Sequence, residues 1–191
     1  MRALKAINPR LDWHDAEGLN APCDPIILSG ARFIKNLQAH QTLAIALDGI
    51  LPHGISTIAF DDMNLLCALG TLAEKEPLLV VQMLELDYLH NLGSVVSISS
   101  KDYEEHTLLE LEVVTADDAP RSYSRIGWRQ LEKIETASED GLRVYLAPSA
   151  KTDVGMGMVG LGGWVTVPKS ALGLVLDARG RPLTLPESGK A

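Results

Sequence analysis

The hydrophobic period of the chain changes once, near Gly93, and that single change restricts the folds open to it. Before Gly93, helical spacing dominates between two short apolar runs. Leu43, Leu47, Ile50 and Leu51 fall at i, i+4, i+7 and i+8, one face of a 3.6-residue repeat, and Pro52 with Gly54 ends the pattern. Residues 25–28, closed by Ser29-Gly30, are a continuous apolar run of the kind that forms a buried parallel strand, and residues 55–60, closed by Asp61-Asp62, read as a second strand. Strand, helix, strand with short joins is a βαβ unit, so these two strands are expected side by side and parallel.

A second helix is expected over residues 63–74 and a third from Pro77, a residue suited to a first helical position because its missing N–H would be unpaired there. Leu78, Leu79, Val80, Val81, Met83, Leu84 and Leu86 leave the third helix little polar face. It is therefore expected to be covered on more than one side, with Asn91-Leu92-Gly93 ending it. From Ser94 onward the period is 2: Val96 and Ile98, then Leu109, Leu111 and Val113, then Leu142, Val144 and Leu146, then Val165 and Val167, then Leu172, Leu174 and Leu176. Turn clusters at 116–120, 138–141 and 154–163 separate these runs. The expected fold class is α/β followed by all-β: an N-terminal arm over 1–24, an α/β lobe over 25–93, and a small antiparallel sheet or barrel over 94–191.

Composition narrows the setting. A chain of 191 residues buries about 70 % of its surface on folding and needs no covalent staple. Two isolated cysteines, Cys23 and Cys67, fit free thiols in a reducing cytoplasm, and Cys67, set in an apolar helix, reads as core. No apolar run approaches the roughly 20 residues of a membrane span, and the first 11 residues lack the apolar stretch of a secretory signal. The net charge of -8 argues against a nucleic-acid partner. Charge is unevenly spread: residues 1–118 carry 7 Lys+Arg against 18 Asp+Glu, a balance of -11, while residues 119–191 carry 10 against 7, a balance of +3. Such asymmetry fits two units or a partner seated on one end.

Few residues carry an obvious chemistry, and no catalytic residue or metal ligand set is assigned. Gly155-Met156-Gly157-Met158-Val159-Gly160 spells G-x-G-x-x-G, yet the alternating residues 161–168 leave no room for the helix whose N-terminus would hold a pyrophosphate, so a glycine loop is expected. The histidines at 14, 40, 53, 90 and 106 form no i, i+4 pair. Asp61-Asp62, Glu104-Glu105 and Asp117-Asp118 read as solvated turns. In Asp177-Ala178-Arg179-Gly180-Arg181-Pro182, the arginines could clamp an anion or a partner carboxylate, or Asp177 could pair internally with Arg179 or Arg181.

Several of these segments resemble one family. Asp24-Pro25-Ile26-Ile27-Leu28-Ser29-Gly30-Ala31, the stretches 41–51 and 52–61, Ala68-Leu69-Gly70-Thr71-Leu72-Ala73, Asn91-Leu92-Gly93-Ser94, Gly162-Gly163 and the closing 171–183 are similar to the C-terminal part of the MutL family associated with adenosylcobalamin-dependent glutamate mutase, which is unrelated to mismatch repair. The resemblance implies a partial actin-like (ribonuclease H-like) βαβ lobe and a chaperone-like or reactivating role for a cobalamin enzyme. It places the adenosine side of a nucleotide against Ser29, Gly30 and Ala31, although Ala31 stands where the family has a second glycine. The phosphate-binding and metal-binding lobe of actin-like ATPases has no counterpart among these 191 residues, and phosphoryl transfer without it loses most of its electrostatic stabilisation. The expectation is thus a non-enzymatic assembly or accessory protein that needs no cofactor and works with a protein partner or as a homo-oligomer. The alternative is a nucleotide-binding subunit that takes ATP or ADP together with a phosphate-binding lobe from another chain.

Overall fold

The computed structural model describes residues 23–30, 37–85, 88–101, 107–114, 120–136 and 141–180. Strand β1 (Ile26–Ser29), helix α1 (Ala39–Ile50) and strand β2 (Gly54–Asp61) form the expected βαβ unit, with β1 parallel to β2 and Ser29 level with Asp61. Leu43, Ala46 and Leu47 of α1 are buried against Leu28, Ile58, Val95 and Val175 of the sheet beneath. The helix stops where Leu51 turns left-handed at φ 53° and donates its N–H to Leu47 O, just before Pro52.

Helices α2 (Leu66–Ala73) and α3 (Pro77–Leu84) follow as a hairpin. Strand β3 (Leu89–Ser97) then runs antiparallel to β2. Asn91-Leu92-Gly93 lies inside β3 rather than ending a helix, because these residues pair across the ladder with Ala59 and Ile58. The change of period at Gly93 is therefore mid-strand. After β4 (Ser99–Ser100) come β5 (Leu109–Val114), β6 (Pro120–Ile126), β7 (Leu131–Ile134), β8 (Leu142–Pro148), β9 (Thr152–Asp153), β10 (Gly163–Val167) and β11 (Leu174–Asp177).

Two sheets carry the architecture. The five-stranded sheet has the order β1-β2-β3-β11-β7, so it draws strands from both sides of residue 93, and the late strand β11 lies between β3 and β7. All four residues of β11 are buried, which explains why Leu174-Val175-Leu176 is apolar on both faces. The antiparallel sheet expected in the second half is present with the order β10-β8-β5-β6. Its inward residues Leu109, Leu111, Val113, Leu142, Val144, Leu146 and Val167 pack with Val96, Leu174 and Leu176 of the first sheet in one core. The molecule is thus a helix, a mixed sheet and an antiparallel sheet in three layers. Strands β6 and β7 lack the buried–exposed alternation of β5 and β8: β6 reads Pro-Arg-Ser-Tyr-Ser-Arg-Ile, and β7 buries none of its residues fully.

The G-x-G-x-x-G segment forms a loop of bends and a turn leading into β10, with no helix after it. Gly155 has φ +85° and lies against Gly54 backbone to backbone, leaving no room for a Cβ on either.

Candidate functional site

The two groups of residues singled out in the sequence lie at opposite ends of the five-stranded sheet. Ser29 is level with Asp61 and Asp61 with Leu89, whereas Asp177 is level with Ser97 and Ser97 with Gly54. The eight residues of β2 span about 25 Å between these ends, so Ser29 and Asp177 cannot share a ligand of ordinary size.

At the first end, Ser29 is the last residue of β1 and Gly30 follows it with φ 139°. The Ser29 hydroxyl donates to Asp61 Oδ2 at 2.9 Å and lies 3.0 Å from Asn64 Oδ1. Ala31 falls outside the described residues. Asp61 is fully buried and is no solvated turn: its carboxylate accepts the backbone N–H of Leu65 on Oδ1 at 2.9 Å and of Leu66 on Oδ2 at 3.0 Å. This is how α2 starts. The residue at its N-cap is Leu65, which offers no side-chain acceptor, so a carboxylate four residues upstream satisfies the first amides and meets the positive end of the helix dipole. Burial pushes the Asp61 carboxyl up, but the hydrogen bonds from Leu66, Leu65, Ser29 and Asn64 together outweigh it and hold the group below the usual carboxylate range. Burial, and then the charge of Asp61, push the nearby Tyr88 phenol above its ordinary value. These directions keep Asp61 ionised and Tyr88 protonated at neutral pH. Beside them, His90 Nε2 meets Asp62 Oδ2 at 2.9 Å. The signal for this cluster was present in the sequence as an acidic residue shortly before an apolar helix.

At the other end, Asp177 closes β11 with its side chain fully buried. Arg179 Nε donates to Asp177 Oδ1 and Arg179 Nη2 to Asp177 Oδ2, both at 2.9 Å, while Nη1 donates to Asp48 Oδ1 of α1 at 2.8 Å. Of the two readings of this segment, the internal pair is the one observed for Arg179. Its guanidinium fastens β11 to α1, and the hydrogen bonds to Asp177 raise its pKa further. Arg181 lies outside the described residues.

The third feature is the α2–α3 hairpin. Contrary to the expectation of cover on more than one side, α3 buries only Val80, while Leu78, Leu79, Val81 and Leu84 are 78 %, 45 %, 51 % and 43 % exposed. Cys67, read as core, is exposed on α2, where only Leu69 is buried. The reason is positional: the hairpin follows β2 as an excursion before β3 returns to the sheet, and the sheet faces are already occupied by α1 and by the antiparallel sheet. Among the described residues, no group of three or more His, Cys, Asp or Glu could hold a metal ion. Nor, among them, is any helix long and apolar enough to cross a membrane. Comparison with family models, with curated proteins and with solved structures finds no match to this chain.

Proposed function

We propose that the chain is a non-enzymatic accessory protein of assembly or chaperone type that docks a protein partner through the α2–α3 hairpin. The observation that carries this reading is the exposed apolar surface of α3. Covering the four partly exposed residues would return on the order of 3–6 kcal/mol gross, before the costs of association, and isolated helices so apolar are normally seated against something. The resemblance of most of residues 24–185, with 99–150 alike only in strand character, to the C-terminal part of the glutamate mutase-associated MutL family suggests the partner class: a cytoplasmic adenosylcobalamin-dependent mutase, met by a partial actin-like unit whose sheet also takes in the later strands β11 and β7. Leu78 is so exposed that Leu78→Asp should leave folding nearly unchanged. Co-sedimentation with such a mutase is expected to yield a complex with the natural chain and none with Leu78→Asp. Failure of the natural chain to bind overturns the partner assignment.

The position of Ser29 and Gly30 at the carboxyl ends of two parallel strands, where α/β sheets commonly hold ligands, favours a second reading as a nucleotide-binding subunit. The Ser29 hydroxyl is already engaged by Asp61, and the carboxylate charge there disfavours a phosphate. Calorimetric titration with ATP and ADP, with and without magnesium and with the mutase present, tests it. Absence of heat in every arm removes this reading.

A further inference from the structure

We propose that the outer face of the β10-β8-β5-β6 sheet is a self-association surface, occupied by the same face of a second copy of this chain. Register places Trp164, Tyr145, Glu112 and Tyr123 in one row straight across the four strands. Their neighbours Leu111, Val113, Val144 and Leu146 point into the core, so this row points outward, and Trp164 and Tyr123 are exposed. Trp, Tyr and Arg are the residues that dominate the centres of protein interfaces. Here they are set in place: Arg143 Cζ lies 4.7 Å from the Trp164 ring centroid, and Tyr145 meets the same indole edge-on at 5.2 Å. Side chains already held in one arrangement lose little freedom on binding.

Charge decides the occupant. Among the described side chains the face carries Arg125 and Arg143 against Glu110 and Glu112, with Arg125 Nε 3.0 Å from Glu110 Oε1. A chain of net charge -8 repels its own copies elsewhere, but the described side chains of this face are of mixed sign, so a two-fold axis can set Arg125 and Arg143 against glutamates of the other copy. A single-stranded nucleic acid would require uncompensated cations and rings lying open, whereas one arginine here is paired and the other covers the indole. Size sets the strength. Four strands about 4.8 Å apart, with the seven residues of β8 spanning about 24 Å, give a footprint of about 450 Å² per copy. That falls below the roughly 800 Å² of a standard stable interface and fits a weak, reversible dimer.

Sedimentation velocity of the full chain from about 1 to 200 μM tests this directly. The natural chain is expected to pass reversibly from monomer to dimer over that range. Trp164→Ala and Tyr123→Ala should each weaken dimerisation about tenfold or more. Arg143→Glu should abolish it and Arg143→Glu with Glu112→Arg should restore it, while Leu78→Asp behaves as the natural chain. Thermal melts establish that each variant is folded, and Tyr123→Ala, at a highly exposed position, serves if Trp164→Ala is not. A natural chain that remains monomeric throughout overturns the proposal. So does a dimer indifferent to both aromatic substitutions, a dimer lost only in Leu78→Asp, or a single-stranded oligonucleotide that binds this face while the chain stays monomeric.

Discussion

Replacing Arg179 by Met should be among the most damaging single changes in the molecule, and the structure says how damaging. The Asp177 side chain is 0 % exposed and takes two guanidinium hydrogen bonds, while Arg179 is 24 % exposed. Removing the guanidinium from a buried pair costs about 3–5 kcal/mol, and the lower end applies here because Asp177 Oδ1 keeps the Arg179 backbone N–H at 3.1 Å. The contact with Asp48 is different in kind: that carboxylate is 52 % exposed, solvent screens it, and its share is about 0–1 kcal/mol. Against a total stability of about 5–15 kcal/mol, Arg179→Met should lower the melting temperature by roughly 6–20 °C, and Asp48→Asn by no more than about 4 °C. Urea unfolding followed by circular dichroism measures both. The double variant Asp177→Asn with Arg179→Met should recover part of the loss, because the buried carboxylate charge is gone. An Arg179→Met variant within 1 kcal/mol of the natural chain, or an Asp48→Asn variant as damaged as Arg179→Met, would refute the reasoning.

Asp61→Asn should cost about 1–3 kcal/mol at pH 7 and speed amide exchange at Leu65, Leu66 and Leu69, since the acceptors that start α2 are weakened. Because the folded-state pKa of Asp61 is lowered from 3.8, its contribution is complete above pH 3.8 and is lost as pH falls through the lower folded value; denaturant melts should show the gap between variant and natural chain closing in that window. Gly155→Ala should destabilise by about 2–3 kcal/mol, because the new Cβ meets the Gly54 Cα at φ +85°, whereas Gly157→Ala, with nothing within 4 Å of its Cβ, should cost about 1 kcal/mol for its φ of +97° alone. Cys67 should react with a maleimide in the native chain sooner than Cys23, as mass spectrometry of timed quenches would record.

Where hydrophobic spacing alone determines structure, the sequence was readable. The βαβ unit, the start of α3 at Pro77 and five of the alternating strands are all present. Spacing says nothing about which strands become neighbours, and so the placement of β11 between β3 and β7, which joins the two halves of the chain in one sheet, was invisible. The same ignorance of partners explains α3: an all-apolar helix predicts cover, and only the topology reveals that both faces of the sheet are taken. Pairing within a local turn was legible, since Asp177 and Arg179 are two residues apart, but the contribution of Asp48 from 131 residues away was not. The role of Asp61 is not legible in the sequence, because adjacent acids usually face water and its role depends on a helix beginning without an acceptor of its own.

The α2–α3 hairpin is the surface proposed to meet a partner. Hydrogen–deuterium exchange of the natural chain, alone and mixed with an adenosylcobalamin-dependent mutase, reads that surface residue by residue. Slower exchange confined to residues 66–84 on adding the mutase is the result expected here; unchanged exchange across the hairpin, or protection confined to other elements, would contradict it.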